Sequence, residues 1–273
     1  MLDFDLIKSQ YPQELQGFER PLLREYLQYK ILQGIFDSGL ADKLSFIGGT
    51  ALRIIHGNTR FSEDIDLENF GLDHAGFQTL IETLRRFLEL EGFEVEIRNA
   101  ARGAFRCYIR FPDLLFDLGI SPLREEKILI QIDPLAQGYP YQPEIKILNK
   151  FDVFTQIRVT PVDLLLSQKI YTAVNRKRPR GRDFYDISFL LGIARPEMGF
   201  LREKMGVETA EDLRWTIVKR IDGLDFTELA RDVAPFLLHA SQVKRVEAFR
   251  ATWEQANLQR ENLSNGDVDS NLL

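Results

Sequence analysis

The chain has 273 residues, 44% of them hydrophobic, which suits one large or two medium globular domains. Its formal net charge is −6, so the chain as a whole lacks the basic field of a general nucleic-acid binder, and any such contact must come from a local patch. The single cysteine, Cys107, excludes an intramolecular disulfide and a zinc–thiolate site. The first residues do not resemble a signal peptide and no apolar run is long enough to span a membrane, so we expect a cytoplasmic protein without a membrane partner.

The first half of the chain alternates helix and strand patterns. Apolar residues at helical spacing predict three helices, over residues 14–40, 50–56 and 73–91. Short β-branched and aromatic runs predict five strands, at residues 44–47, 65–68, 93–98, 105–111 and 127–132. Residues 134–151, rich in Pro, Gly and Tyr, are predicted to be mostly loop, with one more strand at 145–148.

The pattern becomes helical from Pro161 onward, with Thr160 as a candidate N-cap. We therefore predict an α+β protein in which an N-terminal domain with a mixed sheet, residues 1–155, is followed by a helical domain, residues 156–260. The polar residues 261–273 are expected to form a disordered tail.

Two carboxylates, Asp64 and Asp66, lie two residues apart on a predicted strand and therefore on one face. Upstream, Gly48 and Gly49 separate a strand from a helix, where bare backbone N–H groups can bind an anion. Ser62 adds a hydroxyl near the carboxylates. Taken singly, the carboxylates could be a solvated strand end and the glycines an ordinary tight turn. The joint occurrence of the carboxylate pair and the Gly-Gly turn favours Mg²⁺ beside a phosphate cradle.

Asp133 ends the strand pattern Ile-Leu-Ile-Gln-Ile and is the candidate third carboxylate. If its strand lies beside that of Asp64 and Asp66, three carboxylates could hold two Mg²⁺ ions about 4 Å apart, and Asp133 could help deprotonate an attacking hydroxyl. A turn cap before Pro134 is the alternative role. Asp117 also ends an apolar run and competes for the assignment.

Lys169 falls seven residues after Val162, on the apolar stripe of the predicted helix. A lysine that faces a core requires an anion, and a triphosphate or the carboxylate cluster would serve. A lysine whose stem lies along the apolar surface while its amine reaches water is the alternative.

Five basic residues precede the next helix and suit a polyanion such as RNA or a triphosphate, although a solvated basic loop is common: Arg176, Lys177, Arg178, Arg180 and Arg182. Asp183 follows them and Asp186 lies three residues later. Capping of the helix N-terminus is the structural alternative to a catalytic role for Asp183.

In their order along the chain, these motifs resemble the AbiEii-type nucleotidyltransferase toxins of type IV toxin–antitoxin systems, within the polymerase-β-like nucleotidyltransferase superfamily. The resemblance covers residues 40–195 and rests on five stretches: 48–50, 60–67, 130–133, Lys169 and 182–186.

The resemblance implies transfer of a nucleoside monophosphate from a nucleoside triphosphate to an acceptor hydroxyl. Asp64, Asp66 and Asp133 would bind Mg²⁺, with two ions expected. The nucleotide would be held by Gly48, Gly49, Thr50, Ser62 and Lys169, and Lys169 and Asp183 match a lysine and an aspartate that the family needs for activity. A tRNA 3′ end is the expected acceptor, and a cognate antitoxin protein is a possible partner.

Two other functions are compatible with the sequence. A related transferase could modify a protein or a small molecule, which the acidic composition suits at least as well. A module that binds nucleotide without turnover is the other alternative.

Overall fold

The computed structural model describes residues 2–99 and 105–259, and the tail predicted at residues 261–273 lies outside them. The chain divides into two compact units, Met1–Pro161 with Val233–Val243, and Val162–Asp232 with Lys244–Leu273. The first unit is built on a seven-stranded mixed sheet and the second is helical, which confirms the predicted α+β class. No described helix is long and apolar enough to cross a membrane.

The first unit contains seven strands and five α-helices among its described residues. The strands are β1 (Leu44–Ile47), β2 (Ile65–Asn69), β3 (Glu96–Asn99), β4 (Cys107–Phe111), β5 (Ile128–Leu135), β6 (Glu144–Lys150) and β7 (Val153–Val159). The helices are α1 (Phe4–Ser9), α2 (Glu19–Phe36), α3 (Gly48–His56), α4 (His74–Leu90) and α5 (Leu114–Asp117). The strand order is β3-β4-β5-β2-β1-β7-β6.

The sheet is mixed at its centre, where the candidate site lies. Strand β2 runs antiparallel to β1 and parallel to β5, while β4 runs antiparallel to β5. Buried apolar residues alternate along β4 and β5, so one face of these strands packs on the core. Helices α2 and α4 contribute most of the helical part of the same core.

Helix α2 is shorter than the predicted helix over residues 14–40. A separate 3₁₀ turn occupies Gln13–Leu15, and α2 ends at Phe36 rather than near Gly39. The end is fixed by local polar contacts, because the Ser38 hydroxyl donates to the Ile35 carbonyl at 2.6 Å.

The prediction that residues 134–151 are mostly loop is wrong at both ends. Strand β5 continues through Pro134, which lacks an N–H but lies beyond Ile132, the last residue of β5 that pairs with β4. Strands β6 and β7 form a hairpin with a two-residue loop at Phe151, whose φ is 59°. The predicted strand at 145–148 is the middle of β6.

The second unit is helical throughout its described secondary structure. Its helices are α6 (Val162–Asn175), α7 (Gly181–Leu190), α8 (Met198–Met205), α9 (Ala210–Ile221), α10 (Phe226–Val233), α11 (Lys244–Glu247) and α12 (Phe249–Gln255). Its core is aromatic, with Phe184, Phe249 and Trp253 fully buried. The chain returns to the first unit after α10, at Val233–Val243.

Candidate active site

The Gly-Gly turn opens helix α3 directly after strand β1. Gly48 has a φ of 79°, a left-handed conformation that favours glycine. A Cβ on Gly48 would lie 2.7 Å from Asp66 Cβ and would overlap the Asp66 carboxylate. A Cβ on Gly49 would lie 2.9 Å from the Ser62 hydroxyl oxygen. The turn therefore lies against Asp66 and Ser62, at the N-terminal end of α3, which has no side-chain N-cap.

Thr50 orients the backbone that carries the first carboxylate. Its buried hydroxyl donates a hydrogen bond to the carbonyl oxygen of Asp64. The family resemblance assigns Thr50 to the phosphate cradle, and in the structure its hydroxyl bonds the backbone at Asp64, one residue before β2.

The segment that leads to Asp64 is held by the returning residues of the first unit. Phe61 N–H donates to the Phe236 carbonyl at 2.7 Å, and Leu238 N–H donates to the Thr59 carbonyl at 3.1 Å. Arg60 and Leu237 form an antiparallel bridge between these two bonds. No sequence motif pointed to this short ladder, because the partners lie far apart along the chain.

Two of the three predicted carboxylates, Asp66 and Asp133, lie on one face of the sheet. Asp66 and Asp133 are register partners in the parallel pair β2–β5, so their Cα atoms are about 4.8 Å apart. Asp64 lies one residue before β2 and two residues before Asp66. Asp117 instead ends the short helix α5, where its carboxylate lies 3.9 Å from Arg124.

Asp133 has a protein donor on each carboxylate oxygen. Arg106 Nε lies 2.7 Å from Oδ1 and Gln131 Nε2 lies 2.6 Å from Oδ2. The hydrogen bond to Asp133 raises the pKa of Arg106, so the guanidinium stays charged. Sequence analysis missed Arg106 because only the β4–β5 register brings it beside Asp133.

The donor set suits Mg²⁺ held together with a substrate. Within residues 2–99 and 105–259, no group of three or more His, Cys, Asp or Glu side chains is arranged to hold a metal without help. Magnesium sites commonly use one or two carboxylates plus substrate phosphates. Asp64 and Asp66, beside a turn suited to phosphate, fit that pattern.

Lys169 and Asp183 lie in the helical unit, on α6 and α7. Lys169 Nζ is 2.8 Å from Asp186 Oδ2, and the Asp186 side chain has no exposed surface. The sequence predicted a triphosphate or the carboxylate cluster as the anion for Lys169, and in the structure Lys169 pairs with Asp186. Arg176 Nε lies 3.1 Å from Asp183 Oδ2. Burial raises the pKa of Asp183, against the opposing effect of the Lys169 and Arg176 charges.

The basic loop before α7 is partly tied to the helical unit itself. Arg176 pairs with Asp183, and Arg180 Nη1 lies 3.8 Å from Asp232 Oδ1. Asp232 also accepts a hydrogen bond from the Gly181 N–H at 2.8 Å. In the described part of the chain, no ion pair is made by Lys177 and Arg178 of this loop or by Arg182 in the first turn of α7.

Solved structures share this fold at low sequence identity. The nucleotidyltransferase toxin MenT4 of Mycobacterium tuberculosis matches with a TM-score of 0.57 at 15% identity, over 94% of this chain and 91% of that chain. JHP933 of Helicobacter pylori matches with a TM-score of 0.53 at 15% identity, over 86% of this chain and 91% of that chain. No curated protein sequence matches the chain.

The family is decided by sequence. The family model described as "Nucleotidyl transferase AbiEii toxin, Type IV TA system" matches residues 30–268, most of the chain. The chain belongs to this family and is therefore a nucleotidyltransferase of the toxin–antitoxin class. This confirms the resemblance found in the motifs.

Proposed function

We propose that this nucleotidyltransferase binds a nucleoside triphosphate with Mg²⁺ and transfers the nucleoside monophosphate to an acceptor hydroxyl at a tRNA 3′ end. The observation that supports this most strongly is the position of Asp66, packed against Gly48 on one side and in register with Asp133 on the other. A phosphate at the turn would then lie beside the carboxylates.

Different groups of the chain would bind the phosphates and the metal. Backbone N–H groups at the start of α3, together with Ser62, bind phosphate oxygens. Asp64 and Asp66 would hold Mg²⁺, which would neutralise charge on the phosphates and lower the pKa of a bound hydroxyl. Asp133, which now accepts a hydrogen bond from Arg106, would be the third carboxylate for a second ion.

The reaction is a displacement at phosphorus. The acceptor oxygen forms a bond to the α-phosphorus, the bond between that phosphorus and the bridging oxygen of the β-phosphate breaks, and pyrophosphate leaves. The hydroxyl proton passes to Asp133. Positioning and charge neutralisation supply most of the rate enhancement in such reactions.

Other parts of the proposal rest on the family. Lys169 and Asp183 are assigned to the activity, with Lys169 as a phosphate contact, and the basic loop is assigned to RNA: Arg176, Lys177, Arg178, Arg180 and Arg182. An antitoxin partner follows from the family's type IV system. The proposal places the enzyme in the cytoplasm, where triphosphates and tRNA occur.

A transfer assay tests the proposal. Purified protein is incubated with Mg²⁺, total tRNA and each α-labelled nucleoside triphosphate in turn. We expect label on tRNA with the wild-type protein and none with Asp64→Asn, whose free energy of unfolding should not fall because a like-charge pair is relieved. Asp117→Asn is the matched control, since its carboxylate is on α5, and it should retain transfer.

Three outcomes would count against the proposal. Label on protein would move the reaction to a protein acceptor, and nucleotide binding without any transfer would favour the non-enzymatic module. Equal loss in the Asp64 and Asp117 variants would show that the Asp64 carboxylate has no special role.

A further inference from the structure

The solvent side of strands β3 and β4 carries polar residues in alternation with the core, and the solvent side of β5 carries Gln131 and Asp133 between the exposed Leu129 and Leu135. On β4, Cys107 and Ile109 are fully buried, so Tyr108 and Arg110 point to the other side. Arg106, just before β4, lies on that same side because it bonds Asp133. This side of the sheet is the one that bears the catalytic carboxylates.

The strand register extends this row over three strands. Arg98 of β3 is the register partner of Tyr108, and Tyr108 is the partner of Gln131 on β5. Directly paired residues of antiparallel strands share a face, so these side chains are neighbours. Glu96 pairs with Arg110 in the same way.

The charge on this surface is positive although the chain is acidic. We call the surface the arginine face, and define it by five residues: Arg98, Arg106, Tyr108, Arg110 and Lys127. Four cations face two carboxylates, Glu96 and Asp133, which leaves a net charge of +2 in a chain whose total is −6.

Three of the four cations of the arginine face act on Glu96. Lys127 Nζ lies 2.7 Å from Glu96 Oε1, and this hydrogen bond, with the charges of Lys127, Arg98 and Arg110, lowers the pKa of Glu96. One carboxylate thus shares three cations, so this end of the surface has positive charge available for an incoming anion.

The arginine face continues into the active site without a break. Arg106 contacts Asp133 at 2.7 Å, and Asp133 is in register with Asp66. Three strand spacings separate β2 from β3, a span of about 14 Å. A stacked strand rises about 3.4 Å per nucleotide, so about four nucleotides fit along this span.

We propose that the arginine face binds the single-stranded end of an RNA acceptor, with its phosphates on the arginines and one base stacked on Tyr108. This inference rests on the proposed nucleotidyl transfer and names the surface that would deliver the acceptor hydroxyl to Asp133. An aromatic ring among cations is the combination that sequence-tolerant binding of single strands uses.

An acidic protein segment would also be drawn to positive charge, but it would not need the ring. Tyr108 lies between Arg98 and Gln131 in the register, where a planar base could stack on it. The basic loop of the helical unit offers less, because two of its arginines already pair with Asp183 and Asp232.

Binding of a short, fluorescein-labelled single-stranded RNA to the full chain, without nucleotide, tests the surface. Arg98→Gln with Arg110→Gln should weaken binding and reduce the salt slope of log K by about 1.4, at about 0.7 for each phosphate that is no longer neutralised. Tyr108→Ala should weaken binding about fivefold or more, with the slope unchanged. The matched control is Arg86→Gln with Arg202→Gln, which removes two exposed charges, one from helix α4 and one from helix α8.

Two results would overturn the inference. The first is that the arginine-face variants and the control pair have the same RNA affinity and the same salt slope. The other is an equal loss with polyglutamate as the probe and no effect of Tyr108→Ala, which would assign the surface to an acidic protein. Binding of a labelled triphosphate, measured on the same samples, separates this question from the proposed function. If the wild-type protein does not bind the triphosphate, the proposed function is wrong. The RNA measurements would still show whether the arginine face binds RNA.

Discussion

Replacing Gly48 with alanine perturbs the contact between the turn and Asp66 at a single point. Gly48 and Gly57 stand at the two ends of α3, with φ values of 79° and 70°. Alanine in this left-handed region costs about 1–2 kcal/mol at either position. At Gly57 an added methyl group would have no heavy atom within 4 Å, so Gly57→Ala should cost only that amount.

Gly48→Ala carries a second cost. The new methyl group would lie 2.7 Å from Asp66 Cβ and 2.8 Å from Asp66 Cγ, so the strand or the side chain must move. Such overpacking typically costs about 1–3 kcal/mol more, for a total of about 2–5 kcal/mol. Since Asp66 is the group displaced, we also expect loss of Mg²⁺-dependent triphosphate binding.

Urea unfolding and binding of a fluorescent triphosphate analogue measure the two effects on both variants. Gly57→Ala should be mildly destabilised and bind normally, while Gly48→Ala should be more destabilised and bind weakly. Equal destabilisation of the two variants, with triphosphate binding retained in both, would refute the inferred role of the Gly48–Asp66 contact.

Three further changes address single interactions. Arg106→Gln should tighten Mn²⁺ binding in the absence of nucleotide, measured by calorimetry, because Asp133 no longer has a competing cation; unchanged affinity would contradict that competition. Lys169→Met should lower the free energy of unfolding by about 3 kcal/mol, since it removes the ammonium group 2.8 Å from the buried Asp186 carboxylate, and Lys169→Met with Asp186→Leu should recover part of that stability. Burial raises the pKa of the Asp183 carboxyl in the folded protein above its value in the unfolded chain. The folded protein therefore keeps this proton over a pH range in which the unfolded chain has already lost it, so the free energy of unfolding falls as pH rises from the ordinary carboxyl pKa through the raised one. Asp183→Asn should flatten this decline, and a steeper decline would contradict it.

The sequence predicted the central elements because their signals are local. Asp73 caps α4 by accepting from the Gly76 N–H at 2.8 Å, and the apolar stripe that follows defines that helix. The Gly-Gly step and the Asp64–Asp66 spacing likewise predicted a shared face. These features depend on residues within a few positions of one another.

What the sequence did not predict depends on register and on distant pairing. The contact of Arg106 with Asp133 requires β4 beside β5. The backbone hydrogen bonds of Thr59 and Phe61 require partners near Leu238, far along the chain. Strand β7 has an alternating burial pattern, but its partner β1 is distant in the chain. A single sequence carries no direct signal for such neighbours.

Mass analysis of tRNA after incubation with Mg²⁺ and nucleoside triphosphates shows whether a 3′-terminal hydroxyl is the acceptor. Intact tRNA should gain nucleoside monophosphate at its 3′ end. Periodate-treated tRNA, which lacks the terminal diol, should gain none, and Asp64→Asn should modify neither. Modification of periodate-treated tRNA, or no modification of intact tRNA by active protein, would contradict nucleotidyl transfer to the RNA 3′ end.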